Sequence, residues 1–206
     1  MKHLYTLCIF VVLSTQQSVA QTYTFNWATS VVLNWLGGIF AGNANNVNSS
    51  NVNATVSVSS NQANAFTTFG SFTSPTVSGT PFTTQYWSDV PNIAIGCNFS
   101  NKANYTDIVI SFNKVVKNVT FNIADIDKFA SNSNAYFDEV VVTATNAGTA
   151  VTNPSLSKLN TWSDYIVISG NMATANTTSG QGGNSSSSWW DQNGTVTVDF
   201  LSLIHI

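Results

Sequence analysis

The apolar residues of this chain recur at every second position, and no helical period persists over three turns. Residues 22–27 set Tyr23, Phe25 and Trp27 on one face, against threonine and asparagine on the other. Further runs of strand character cover residues 31–36, 39–40, 52–58, 65–72, 93–99, 107–112, 115–123, 137–145, 165–169 and 195–200. Pro75, Gly79 and Pro81 mark turns, and the Asn/Ser-rich residues 43–53 and Gly/Ser-rich residues 179–188 read as loops. Some ten short strands at this spacing, rich in Thr, Val, Phe and Tyr, predict an all-β chain. The expected architecture is a two-layer antiparallel β-sandwich, jelly-roll-like, formed as a single domain by residues 21–200.

Both ends of the chain read differently from its middle. Lys2, an apolar run over residues 4–13 and the small residues Ser18 and Ala20 match a secretory signal peptide over residues 1–20, with cleavage before Gln21. About ten apolar residues are too few to cross a hydrocarbon core about 30 Å thick, and no later stretch has spanning length. The expectation is therefore a secreted or cell-surface protein with no membrane span. Residues 201–206 admit two readings, a genuine apolar terminal strand or a non-native tail resembling translated adapter sequence. On the second reading the strand ending near Phe200 lacks a partner. Cleavage at Ala20 removes Cys8 and leaves Cys97 alone, read as a small buried residue of an apolar strand.

Composition then excludes whole classes of function. Only 7% of residues are charged, with six Lys, no Arg and a net charge of -3, so the clustered cations that neutralise phosphates are missing and nucleic acid is not a partner. The two histidines are His3 and His205, which leaves residues 21–200 without the usual general base or a zinc-binding imidazole. Paired carboxylates could in principle hydrolyse glycosides, but the single Glu and the lack of a flanking signature argue against it. The expectation is a protein that is not an enzyme.

The order of segments in the second half resembles a known group. Ile110-Ser111-Phe112, the run from Val119 to Asp127, Phe137-Asp138-Glu139-Val140-Val141-Val142, Gly170-Asn171 and Val196-Thr197-Val198-Asp199-Phe200 look like the jelly-roll-type β-sandwich modules of large secreted bacterial surface proteins. The resemblance covers about half the chain, residues 107–200. It implies a non-catalytic module of an exported surface or matrix protein, serving adhesion or glycan binding. A purely structural spacer in a larger surface protein is the alternative.

Two constellations could carry binding. Asp125 and Asp127, two apart at a strand end, point to the same side of the chain. If the following loop returns Asp138 beside them, three carboxylates form an oxygen-rich pocket suited to a structural Ca²⁺ ion. Lys128 could instead neutralise one of them, and all three Asp could simply be turn residues. The second constellation is aromatic: Trp87 with Asp89, and Trp189-Trp190-Asp191, each fit a tryptophan that stacks on a sugar while a neighbouring carboxylate bonds its hydroxyls. The partner on that reading is an extracellular glycan or surface polymer. The same tryptophans would serve equally as core or edge-covering residues.

Overall fold

The structure, a computed structural model, describes residues 41–69, 72–74, 76–78, 92–129, 136–146, 148–150, 154–176 and 192–204. Among these residues the chain is all β, with two short 3-10 turns, no α-helix, and antiparallel pairing throughout. No helix among them is long and apolar enough to cross a membrane. Eleven strands build the larger sheets and one ribbon. They are β1 (Ala41–Ala44), β2 (Ala54–Ser60), β3 (Thr106–Phe112), β4 (Val116–Ile123), β5 (Lys128–Phe129), β6 (Tyr136–Phe137), β7 (Glu139–Val141), β8 (Ser155–Lys158), β9 (Ile166–Ser169), β10 (Met172–Ala175) and β11 (Val196–Ile204). Three short ladders, such as Thr76–Ser78 with Asn92–Ala94, accompany them.

Three sheets of three strands have the orders β1-β2-β3, β7-β10-β9 and β8-β11-β4. The period-two pattern is carried directly into burial. In β2, Ala54, Val56 and Val58 are buried while Thr55, Ser57 and Ser59 are exposed, so one face packs and the other meets water. In the β8-β11-β4 sheet, Leu156, Val198 and Phe121 form one row across the three strands, and Ser157, Thr197 and Asn122 form the adjacent row on the opposite face. Thr197 Oγ1 donates to Asn122 Oδ1 at 2.9 Å within that polar row.

The apolar faces of two sheets share a core. Ile166 and Ala173 of the β7-β10-β9 sheet pack with Val196 of β11 and with Ile126, and Ile123, Val140 and Leu156 close around them. Val198 and Phe200 pack with Val142, where Phe121 and Phe200 stack at 6.5 Å between ring centroids. The β1-β2-β3 sheet has clusters of its own, with Val56 and Val58 covered by Phe66, Ile93 and Ile95.

Several elements differ from the sequence expectation. β11 continues past Phe200 to Ile204 and is the central strand of its sheet, paired to β8 on one side and β4 on the other. Its pairing with β4 shifts between Phe200 and Leu203, opposite Asn118, which adopts φ +53°, a conformation asparagine tolerates at a bulge. β1 runs two residues into the expected Asn-rich loop, because Ala44 is held in the core opposite Ala54. β8 and β10 carry no strong strand signal, since Ser, Lys and Ala dominate them; pairing on neighbouring strands fixes both. Residues 93–99 shorten to Asn92–Ala94 and a single bridge between Cys97 and Phe66. Cys97 is half-buried rather than buried, with its thiol 3.2 Å from Thr106 Oγ1.

Candidate functional site

The acidic residues meet on the β5–β6 ribbon. Lys128 pairs with Phe137 and Phe129 with Tyr136, which sets Asp127 directly opposite Asp138. The Asp138 N–H donates to the Asp127 carbonyl at 2.9 Å, and the Asp127 N–H donates to Asp138 Oδ2 at 3.2 Å. The intervening chain thus returns Asp138 beside the Asp125–Asp127 pair. Asp125 sits at φ +68°, a left-handed conformation that Asp adopts more readily than most residues, and Ile126 between the two acids is anchored by its N–H to the Gly194 carbonyl. Asp127 is 5% exposed, whereas Asp125 faces solvent.

The electrostatics follow from that placement. Burial pushes the Asp138 carboxyl up to about 7, and the charges of Asp127 and Asp125 push in the same direction; its bond to the Asp127 backbone pulls it down but does not win. A side-chain hydrogen bond also joins Asp138 to Asp127. Two carboxyl groups can bond in this way only if one carries a proton. Asp125 is raised to about 6, first by burial of its carboxyl and then by the Asp127 charge. Because Asp125 is the more exposed of the two residues, water screens part of that push, and Asp138 dominates the behaviour of the group.

Tyr136 completes the cluster. It lies two residues before Asp138 and therefore on the same face of the ribbon. Burial of its hydroxyl, then the Asp127 charge and the bond to that carboxylate, push it up to about 12, so it stays protonated and donates. Sequence reasoning passed over this tyrosine, although the two-residue spacing from Asp138 marked it. Lys128 does not play the neutralising role considered for it. Its register with Phe137 puts it on the opposite face from Asp127, it is buried, and its charge is not among those acting on Asp125 or Asp138. Among the described residues no group of three or more His, Cys, Asp or Glu side chains is arranged to hold a metal ion.

The second site is an aromatic residue on a braced turn. Trp87, Asp89, Trp189, Trp190 and Asp191 lie outside the described residues. Trp162 lies inside them, in the turn between β8 and β9, and it is 94% exposed. Roughly 4–6 kcal/mol is available from burying an indole's 150–250 Å² at 25 cal/mol per Å², and here that gain is left unused.

The turn is not loose. The Ser163 N–H donates to the Asn160 carbonyl at 3.0 Å and the Trp162 N–H to Asn160 Oδ1 at 3.1 Å. Asn160 Nδ2 donates to Asn193 Oδ1 at 2.7 Å, and the buried Ser163 hydroxyl donates to the Asn193 carbonyl at 3.0 Å. Lys158 Nζ reaches under the turn to the Ser163 carbonyl at 2.7 Å, and Asn176 Nδ2 holds the Asp164 carbonyl at 2.8 Å. Hydrogen bonds from three neighbouring segments therefore fix the backbone that presents the indole. The signal was present in the sequence, since Trp162-Ser163-Asp164 repeats the Trp87-Ser88-Asp89 triplet.

Comparison with protein-family models, curated proteins and solved structures finds no match to this chain.

Proposed function

We propose that this chain is a non-catalytic module of an exported cell-surface or matrix protein, and that it adheres by binding glycans. The observation that carries the reading is Trp162, fully presented to solvent on a turn that the fold holds in place. A rigid indole face offers large contact area at little cost in conformational entropy. Thr161 and Asp164 beside it, both exposed, supply neutral and acidic groups of the kind that bond sugar hydroxyls. The signal-like residues 1–20 support export, and the scarcity of charge suits a surface that recognises uncharged polar ligands.

The scaffold on this reading is a two-layer antiparallel sandwich of jelly-roll type. Its support is the core shared by the β7-β10-β9 and β8-β11-β4 sheets, together with the polar outer row of the latter. The absence of histidine from residues 21–200, which removes the usual general base, supports a binding rather than a catalytic role.

Affinity electrophoresis through gels containing different polysaccharides tests the proposal. Wild-type protein is expected to be retarded by at least one of them. Trp162→Ala should lose that retardation by about tenfold or more in affinity, equivalent to about 1.4 kcal/mol, and Trp162→Phe should retain part of it. Equal retardation of wild type and Trp162→Ala would remove Trp162 from the account. Retardation of neither, in any gel, would favour the spacer.

A further inference from the structure

We propose that β3 pairs antiparallel with β3 of a second copy of this chain, about a twofold axis at Val109, to form a sheet continuous across two molecules. β3 is an edge strand, since its sheet runs β1-β2-β3 and no described residue pairs with its far side. The direction of its backbone groups is set at both ends. The Tyr105 carbonyl accepts from the Asn61 N–H, and the Asn113 N–H donates to the Asn53 carbonyl, so the odd-numbered residues spend their polar groups on β2. Along a strand these directions alternate. Thr106, Ile108, Ile110 and Phe112 therefore turn their N–H and C=O groups to the open edge.

Natural edge strands are usually short, charged, kinked or covered. β3 runs seven residues with Asp107 as its single charge; Ile108, Ile110 and Phe112 make one face apolar, and Val109 stands between Asp107 and Ser111 on the other. Ile108, on the face that carries Val58, is 50% exposed, and Val109, on the face that carries Ser57, is 47% exposed.

A second copy fits this edge because the strand is nearly palindromic. Centred on Val109, the pairing sets Ile108 opposite the partner's Ile110, Val109 opposite the partner's Val109, and Asp107 opposite the partner's Ser111. All seven residues of each strand are paired, and the two isoleucines of each copy join into one apolar patch. Moving the partner by two residues in one direction places Asp107 against the partner's Val109, and by four against the partner's Asp107. Like charges set directly opposite are destabilising. The central register is the one that buries the apolar centre and faces each carboxylate with a hydroxyl.

Sedimentation velocity of the whole chain over a range of concentrations tests this, with two variants at Ser111, a half-buried position on the face that carries Ser57. Wild type is expected to pass from monomer to dimer as concentration rises. Ser111→Asp sets two Asp–Asp pairs across the axis and should weaken the dimer about tenfold, whereas Ser111→Lys sets two Asp–Lys pairs and should hold or tighten it. Circular dichroism establishes that both variants fold like wild type. A wild type that stays monomeric at several hundred micromolar overturns the proposal. So does an equal effect of the two variants, because opposite charges at Ser111 must act oppositely in this register.

Discussion

Val198→Asp is expected to leave the protein unfolded at 25 °C. Val198 is fully buried near the start of β11, the central strand of its sheet, between Leu156 on β8 and Phe121 on β4, and it packs with Val142 and Phe200. Removing its side chain forfeits about 1.5–3 kcal/mol of apolar burial. The carboxylate that replaces it has no cation or donor among these neighbours, and an uncompensated buried charge costs about 3–5 kcal/mol more. The sum reaches the 5–15 kcal/mol that typically separates a folded domain from its unfolded chain. Ser157→Asp makes the control. Ser157 is exposed on the neighbouring strand, one position along from Leu156, so its change should stay within about 0.5 kcal/mol. Thermal melts followed by circular dichroism compare the three proteins. A Val198→Asp variant that melts within a few degrees of wild type would mean that β11 is not the centre of the core.

Raising the pH from 4 to 7 is expected to destabilise the fold, through the carboxyl pair on the β5–β6 ribbon. The folded Asp138 carboxyl is raised to about 7 by burial and by the charges of Asp127 and Asp125, while the same group in the unfolded chain ionises near its ordinary 3.8. The folded state thus holds a proton that the unfolded state has released. The contribution is fully present below about pH 4, where both states are protonated. It falls as pH rises, by about 1.4 kcal/mol per pH unit for one proton, and is lost once the folded group ionises near 7. Asp138→Asn keeps an oxygen to accept the Asp127 N–H but cannot ionise. The variant should match wild type near pH 4, exceed it at pH 8, and lack this part of the slope.

Calcium enters the same experiment as the competing neutraliser. A cation bound only by the folded state raises stability as its concentration passes its dissociation constant. Matching melting curves in millimolar Ca²⁺ and in EDTA at pH 8 mean that the ionised group takes no Ca²⁺, and leave the proton it holds below about pH 7 as its neutraliser. A rise in Ca²⁺ that Asp127→Asn removes would transfer the role to the ion.

Strands that carry their own apolar alternation were legible in the sequence. β2, β3, β4 and the first part of β11 follow directly from it, because each carries Val, Ile or Phe at every second position. β8 and β10 were not legible. Met172-Ala173-Thr174-Ala175 has little strand character of its own, and it is the pairing of Ala173 with both Val140 and Ile168 that makes it the middle of a sheet. The convergence of Asp127 with Asp138 could be anticipated from spacing, as could Tyr136, two residues from Asp138. The opposite orientation of Lys128 could not, since it depends on which residue the returning strand sets opposite which. Trp162 shows a different limit. Its triplet was visible, but exposure is a property of the turn, and that turn is fixed by Asn193 and Asn176, distant in the chain.

On the proposed function, Trp162 is held out to meet a sugar. Probing a glycan array with the whole chain and with Trp162→Ala, side by side, measures it most directly. Wild type is expected to bind a defined set of glycans, and the variant to lose that set while keeping the wild-type circular dichroism spectrum. A wild type that binds no glycan on the array, or a variant that binds the same glycans at the same strength, would contradict it.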